Sequence, residues 1–305
     1  MKRILSLVLV LALAISAFVG CNNDDVPTEK DYNLSIGVVN SVSLDDAEVT
    51  QTVAAIVTDA DGKIVLCRLD CIVYSAFDRN GAIVTTAPTS KVVQGDAYDA
   101  YKPMAAGRWY QQADALATYV TGKTQADVKA LGADGYVKDV VASCTIHAGD
   151  LLKAIDNAFA SEHKVAFKSA ATAFTAGVSA IASVEAEETT VTFAVEYAAA
   201  VLADGAVVAA ILDTAEDTLN GVTTADAGLT KVDYKGTKRE QGDAYDSWQP
   251  MAAGRWYQQA DAYCKAAVGL TKDNIATLAS AGVAGCTIYS GGYKAGIEAA
   301  VKAAK

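Results

Sequence analysis

The sequence predicts an α+β fold made of two tandem copies of one domain, each an antiparallel β-sheet followed by helices packed on one face. Two observations support this prediction. The block 94–115 recurs at 241–262 with only three differences. In each copy, stretches rich in Val, Ile and Thr precede stretches with helical spacing of apolar residues.

The strands are predicted first in each copy. In the first copy, Glu48–Thr58 and Lys63–Tyr74 flank the turn Asp59–Gly62, a pattern typical of a β-hairpin. In the second copy, Thr189–Leu202 and Ala206–Leu212 flank Asp204 and Gly205 in the same way. We therefore expect one hairpin near the start of each sheet.

Helices follow the strands. Apolar residues at helical spacing predict a helix over 105–120, which Gly122 ends. Thr124 and Asp127 have the spacing of a capping box and predict a short helix after Thr124. Apolar periodicity predicts terminal helices over Leu151–Phe159 and Tyr293–Val301.

The N-terminus has the features of an export signal. Lys2 and Arg3 precede an apolar run that ends at Cys21, and Phe18–Cys21 resembles the lipobox of bacterial lipoproteins. That resemblance implies a lipid on the Cys21 thiol, which would anchor the chain on the extracytoplasmic face of the cell membrane. The alternative is a simple secretory signal. We expect a signal peptide at 1–20, a flexible tether at 21–33 and repeat domains at 34–161 and 162–305.

Charge and cysteine content exclude several classes of function. A net charge of −11 makes nucleic acid an improbable partner. The five cysteines after Cys21 form no CxxC motif and no zinc-like spacing, so we expect buried free thiols. The two histidines lie in the first copy or at the boundary, which excludes a histidine-based catalytic site shared by both copies.

A turn of small residues before each terminal helix is the first candidate site. Ser143 and Thr145 in the first copy correspond in position to Gly285 and Thr287 in the second. Small residues let a ligand approach the backbone, and the free amides at a helix N-terminus suit a phosphate. The alternative is that Ser143 and Thr145 cap the helix.

The recurring block is the second candidate site. Its aromatic and charged residues could stack on a flat ring and pair with an anion. The alternative is an aromatic core with an Asp–Arg pair on the surface. The residues concerned are Tyr98, Arg108 and Trp109 in the first copy and Tyr245, Arg255 and Trp256 in the second.

The order of these features resembles the FMN-binding domain of Rnf/Nqr-type flavoproteins, and tandem copies on a lipoprotein resemble the extracellular electron-transfer lipoproteins of Gram-positive bacteria. The chain looks closer still to tandem lipoproteins of anaerobic Gram-positive bacteria that share the Gly-Asp-Ala-Tyr and Trp-Tyr-Gln-Gln-Ala features. In the flavin family, FMN is joined through its phosphate to a threonine. By position, Asp139 matches the aspartate of that motif, and Thr145 and Thr287 match the acceptor.

This resemblance implies an electron carrier with one FMN per repeat, rather than a catalyst. Its partners would be a flavin transferase and membrane redox proteins. Two other functions fit the residues: a surface module that binds a sugar or peptide, and a structural envelope lipoprotein without a cofactor.

Overall fold

Two four-stranded antiparallel sheets, each followed by helices, form the protein, which confirms the predicted α+β class. The architecture comes from a computed structural model that describes residues 28–100, 106–132, 135–171, 173–224, 228–247 and 251–305. Cys21 and the predicted lipobox lie outside the described residues, as do Tyr101 and Trp248 of the recurring block.

The strands fall into two sheets that share a three-stranded antiparallel meander and carry the fourth strand on opposite edges. The first sheet has the order β3-β2-β1-β4 and comprises β1 Lys30–Ser43, β2 Glu48–Asp59, β3 Ile64–Ser75 and β4 Val165–Ser169. The second has the order β5-β6-β7-β8 and comprises β5 Thr175–Ala186, β6 Thr190–Ala203, β7 Ala206–Asn220 and β8 Lys231–Tyr234. Both predicted hairpins are confirmed, as β2–β3 and β6–β7.

The helices of the two halves correspond, except that the short helix after Thr124 is matched in the second half by the 3₁₀ helix Ile275–Thr277. They are α1 Lys91–Gln94, α2 Trp109–Tyr119, α3 Gln125–Lys129 and α4 Gly149–Ala160 in the first half, and α5 Lys238–Gln241, α6 Trp256–Lys265 and α7 Gly291–Ala303 in the second. Thr124 caps α3 through a capping box with Asp127, as predicted. The helix predicted from 105 instead begins at Trp109, because Arg108 has an extended backbone.

The two sheets face each other across one apolar core. Inward side chains of β1, β2 and β3 pack against those of β5, β6 and β7, and Tyr74 stacks on Phe193 with ring centroids 5.0 Å apart. The outer faces form two further cores with the helices. The result is four layers in the order helix, sheet, sheet, helix, with each sheet covered by helices on one face only.

The first strand corrects the predicted tether. β1 begins at Lys30, so residues 30–33 belong to the sheet and not to a flexible linker. Tyr32 is buried and pairs with Phe167 of β4, and the two rings stack at 5.5 Å. A strand from the range assigned to the second domain therefore completes the sheet of the first.

Glycines mark where the terminal helices cross the strands. A Cβ at Gly37 of β1 would overlap the carbonyl of Ala154 in α4, and one at Gly177 of β5 would overlap that of Ala300 in α7. Only a residue without a side chain allows such a close approach. Both terminal helices are thus seated directly on their sheets.

A buried polar network joins the sheets inside the apolar core. Asp217 of β7 is fully buried and accepts hydrogen bonds of 2.6 Å from Asn40 Nδ2 and from Gln51 Nε2. The hydroxyl of Tyr197 donates to Gln51 Oε1. Burial raises the pKa of Asp217 to about 6, and the bonds from Gln51 and Asn40 offset part of this rise.

The raised pKa of Asp217 predicts a pH-dependent stability. The folded carboxyl holds its proton up to about pH 6, whereas the unfolded carboxyl titrates near 3.8. The free energy of unfolding is therefore highest below the unfolded pKa and falls as pH rises through the folded pKa. Asp217→Asn should reduce this fall between pH 4 and 7 by roughly 2 to 3 kcal/mol, as measured by denaturant unfolding. Equal pH dependence in the two proteins would contradict the prediction.

Candidate functional site

Buried aspartates hold the start of the central helix in each half. Asp99 accepts from Arg108 Nη1 at 3.0 Å and from the amide of Trp109 at 2.8 Å. In the second half, Asp246 accepts from the equivalent Arg255 and Trp256 at 3.0 and 2.7 Å. The two arginines predicted to meet an anion are therefore already paired with carboxylates, although each side chain stays about one-third exposed.

A buried glutamine joins the two best-retained segments of each half. Gln112 Oε1 accepts from the amide of Thr145 at 2.7 Å, from its hydroxyl at 3.1 Å and from the amide of Ile146 at 3.1 Å. Gln259 accepts from the amide and the hydroxyl of Thr287 at 2.8 and 2.9 Å. The repeated block and the repeated turn thus fasten the central helix to the segment before the terminal helix.

The interpretation of Ser143 and Thr145 as helix caps is wrong. α4 begins at Gly149, and its N-cap residue is Ala148, which makes no side-chain cap bond. Ser143 and Thr145 therefore lie well before the first turn of the helix. Asp139 is exposed in a turn, and Gly285 has a φ of +79°, a left-handed conformation that favours glycine.

The tryptophans belong to the outer cores. Trp109 is 7% exposed and Trp256 is 3% exposed, and each lies edge-on to a tyrosine, Tyr98 at 6.4 Å and Tyr245 at 6.2 Å. The core alternative for both tryptophans is therefore confirmed. Their rings remain close enough to the surface for a lysine to cover them.

A lysine lies over this aromatic pair in each half. Lys91 Nζ is 4.7 Å from the ring centroid of Tyr98 and 5.2 Å from that of Trp109. Lys238 Nζ lies 4.9 and 5.2 Å from the corresponding rings, Tyr245 and Trp256. Sequence reasoning missed both lysines. The sequence did contain a signal for them, because each lysine stands four positions before the glycine of its Gly-Asp-Ala-Tyr segment.

In the second half this cluster opens into a groove. A cavity of about 320 Å³ contains Trp256, Tyr245 and Lys238 in its wall. It adjoins a second cavity of about 560 Å³, which shares Lys238 and Tyr245, and a third of about 580 Å³ over the turn that carries Thr287. We call these three adjoining cavities the second-half groove. It brings the two candidate sites of this half onto one surface.

Further side chains complete the wall of the groove. Tyr289 is 88% exposed, and the hydroxyl of Tyr293 accepts from Trp256 Nε1 at 3.1 Å. Glu196 faces the same cavity, and burial raises its pKa while the charge of Lys238 offsets part of this rise. Tyr289, Tyr293 and Glu196 were not among the predicted residues, because none of them recurs in the first half.

The cysteines take no part in the groove's aromatic wall. All five described cysteines are free, and all but Cys286 are buried, as predicted. Burial raises the pKa of the Cys67 and Cys264 thiols to about 12, so neither is a thiolate near neutral pH. Within the described ranges, no group of His, Cys, Asp and Glu could hold a metal ion, and no helix is long and apolar enough to cross a membrane.

Comparison with known proteins adds no relative. No family model matches the chain, and no curated protein or solved structure matches it either. The resemblance to FMN-binding domains thus stays a prediction from the sequence.

The glutamine bonds predict a measurable difference between two variants. Gln112→Leu leaves three donors without their acceptor and should lower the free energy of unfolding by roughly 2 to 4 kcal/mol. Thr145→Val removes only the hydroxyl bond and should cost about 1 kcal/mol. Denaturant unfolding of both variants checks this order. Similar losses in the two variants would show that the glutamine does not hold the turn.

Proposed function

We propose that this protein is an exported lipoprotein that carries electrons through FMN bound in the second-half groove. The observation that supports this function is the joining of an aromatic wall, a lysine and the Thr287 turn on one surface. The cavity of about 320 Å³ between Trp256 and Tyr293 is of the size that small ligands occupy, roughly 300–1,000 Å³.

The residues of the groove suit such a ligand. Tyr289 offers an exposed ring on which a flat heterocycle can stack, and Tyr245 offers a second aromatic surface. The ammonium of Lys238 would balance the negative charge of a reduced ring. FMN, when bound, supplies the reversible uptake and release of electrons, while the protein sets its position and potential.

The hydrogen bonds of the threonines favour noncovalent binding. The hydroxyls of Thr145 and Thr287 donate to Gln112 and Gln259. A phosphoester at either oxygen would remove that donor and loosen the turn. We therefore propose FMN held without a covalent link, so that a flavin transferase is not required as a partner.

Exposed Tyr289 is the residue on which to test flavin binding. We expect purified mature protein to bind FMN in a fluorescence titration, and Tyr289→Ala to weaken binding roughly three- to tenfold through lost stacking. Tyr136→Ala is the matched control, since Tyr136 is an exposed tyrosine outside the groove.

Two results would change this proposal. Absence of FMN both from protein purified from its own host and in the titration would overturn the flavin function. An FMN adduct in the intact mass that disappears in Thr287→Val would replace noncovalent binding with the ester.

The membrane location is a proposal that rests on Cys21. We expect the wild-type protein to fractionate with membranes, and Cys21→Ser to appear in the soluble extracytoplasmic or culture fraction, because the acyl chains that hold it are absent. Immunoblots of the fractions and the intact mass of the mature protein give the readout. Equal membrane association of both proteins would show that the lipid is not the anchor.

A sugar- or peptide-binding surface is the second candidate function. The groove combines exposed Tyr289 with the carboxylates of Glu196 and Glu216, a combination that also suits polar ligands. Saturable binding of a glycan or peptide that Tyr289→Ala weakens, together with no FMN binding, would favour it. The third alternative, a structural envelope protein, draws support from the buried tryptophans and the threonine–glutamine bonds.

A further inference from the structure

Equivalent strands of the two halves carry different polar pairs on their outer faces. Asp70 and Asp213 occupy equivalent positions, and they pair across the hairpin with Val53 and Tyr197. One step along, the first half has the cross-strand pair Thr52–Cys71 and the second has Glu196–Thr214. These two pairs therefore occupy the same place in their halves, and both face the helices.

The pair in the first half is satisfied within the protein. Thr52 Oγ1 donates to Cys71 Sγ at 3.7 Å, and both residues are buried. The positive charge of Lys91 acts to lower the pKa of the Cys71 thiol, although burial raises it overall. The polar atoms of this pair have partners inside the protein and need no ligand.

The pair in the second half borders the groove. Thr214 is 5% exposed and lines the cavity of about 560 Å³. In the part of the chain that the structure describes, its buried Oγ1 has no hydrogen-bond partner. A buried hydroxyl without a partner costs free energy, so a polar group of a ligand would satisfy it.

The terminal helix makes room for the carboxylate of Glu196. A Cβ on Gly292 of α7 would overlap that carboxylate, whereas the equivalent position in the first half is Asp150. The Glu196 carboxylate thus lies against a glycine at the position where the first half has an aspartate. The second half therefore differs from the first in both the strand and the helix, and its Glu196 carboxylate faces the cavity beside Lys238.

Lys238 stands where the two cavities meet. It lines both of them, with Glu196 in one and Thr214 in the other. The wall of the groove therefore contains a hydrogen-bond acceptor, a cationic donor and a hydroxyl, together with the aromatic rings of Tyr245 and Trp256. A ring edge on which N–H and C=O groups alternate is complementary to such a set.

We propose that Glu196, Lys238 and Thr214 recognise the lactam or imide edge of a heteroaromatic ring, and that the second half is the half that binds it. This inference rests on the proposed flavin function and adds its basis of specificity. In a flavin, the N3–H group would donate to Glu196, and the neighbouring carbonyl oxygens would accept from Lys238.

Lumiflavin and 3-methyllumiflavin are the probes that test this. Both lack the phosphate, and they differ only in the N3–H group. We expect the wild-type mature protein to bind lumiflavin about tenfold or more tightly than 3-methyllumiflavin, because a hydrogen bond to a charged acceptor is lost. This comparison needs no variant, so it stands even if a substitution impairs folding.

A double variant tests the residues themselves. Glu196→Thr with Thr214→Cys gives the second half the pair that the first half already accommodates, and it should bind both probes equally and weakly. Glu185→Thr, which removes an exposed carboxylate of β5, should keep the wild-type preference. Circular dichroism and the melting temperature verify folding of each variant.

The outcomes separate the two proposals. If neither FMN nor lumiflavin binds, the flavin function is wrong. If wild-type protein binds both probes equally, or if the folded double variant keeps the preference for lumiflavin, flavin binding stands and the recognition by Glu196 and Thr214 is wrong.

Discussion

Burial of both faces of each sheet is the constraint on which the rest of the structure depends. The helices of each half cover one face only. The other face of each sheet is largely apolar, and it is buried mainly against the facing sheet. Arg68 of β3 links the two sheets directly, since its Nε donates to Ala176 O of β5 at 2.9 Å. The two halves therefore fold around a common core. The residues on the outer faces of the sheets are not bound by this contact and can differ between the halves.

The repeated residues and the residues that differ have separate roles. The segments with greatest identity hold the helices in place: Asp99 and Asp246 fix the start of the central helix, and Gln112 and Gln259 fix the turn beyond it. These bonds explain why polar residues of the block are identical in both halves. The wall of the groove is built on this frame from residues that differ between the halves. The structural bonds therefore account for the residues that are identical in the two halves. The residues that differ between the halves mark the candidate site.

Sequence periodicity predicted the hairpins, the capping box at Thr124 and both terminal helices, because these depend on local pattern and turn chemistry. It did not predict that the sheets face each other. The sequence pattern of a buried strand face is apolar whether a helix or a second sheet covers that face, so the pattern does not identify the covering element. No strand was predicted over the range of β1. Its first residues were assigned to the tether because Lys30 and Asp31 are polar and exposed, and burial begins only at Tyr32.

Some residues of the candidate site were predicted from the sequence and others were not. The aromatic pair and the Thr287 turn were identified from repetition, and they do lie along one groove in the second half. Glu196 and Tyr289 could not be found in this way, because comparison of the copies selects what is shared. Lys238 was within reach of that comparison, since Lys91 matches it. A search for positions where the halves differ around a shared frame would have pointed to the remaining residues.

The sheet-to-sheet core has a consequence for the chain as a whole. A polypeptide with one half alone would expose the inner face of its sheet, and a second identical polypeptide is the surface best shaped to cover it. Such an assembly would depend on concentration and would dissociate on dilution. Covalent joining of the halves makes the same association intramolecular, with a fixed effective concentration. Joining also frees the halves from being identical, which is how Glu196 and Tyr289 can stand in one half where the other has Thr52 and His147.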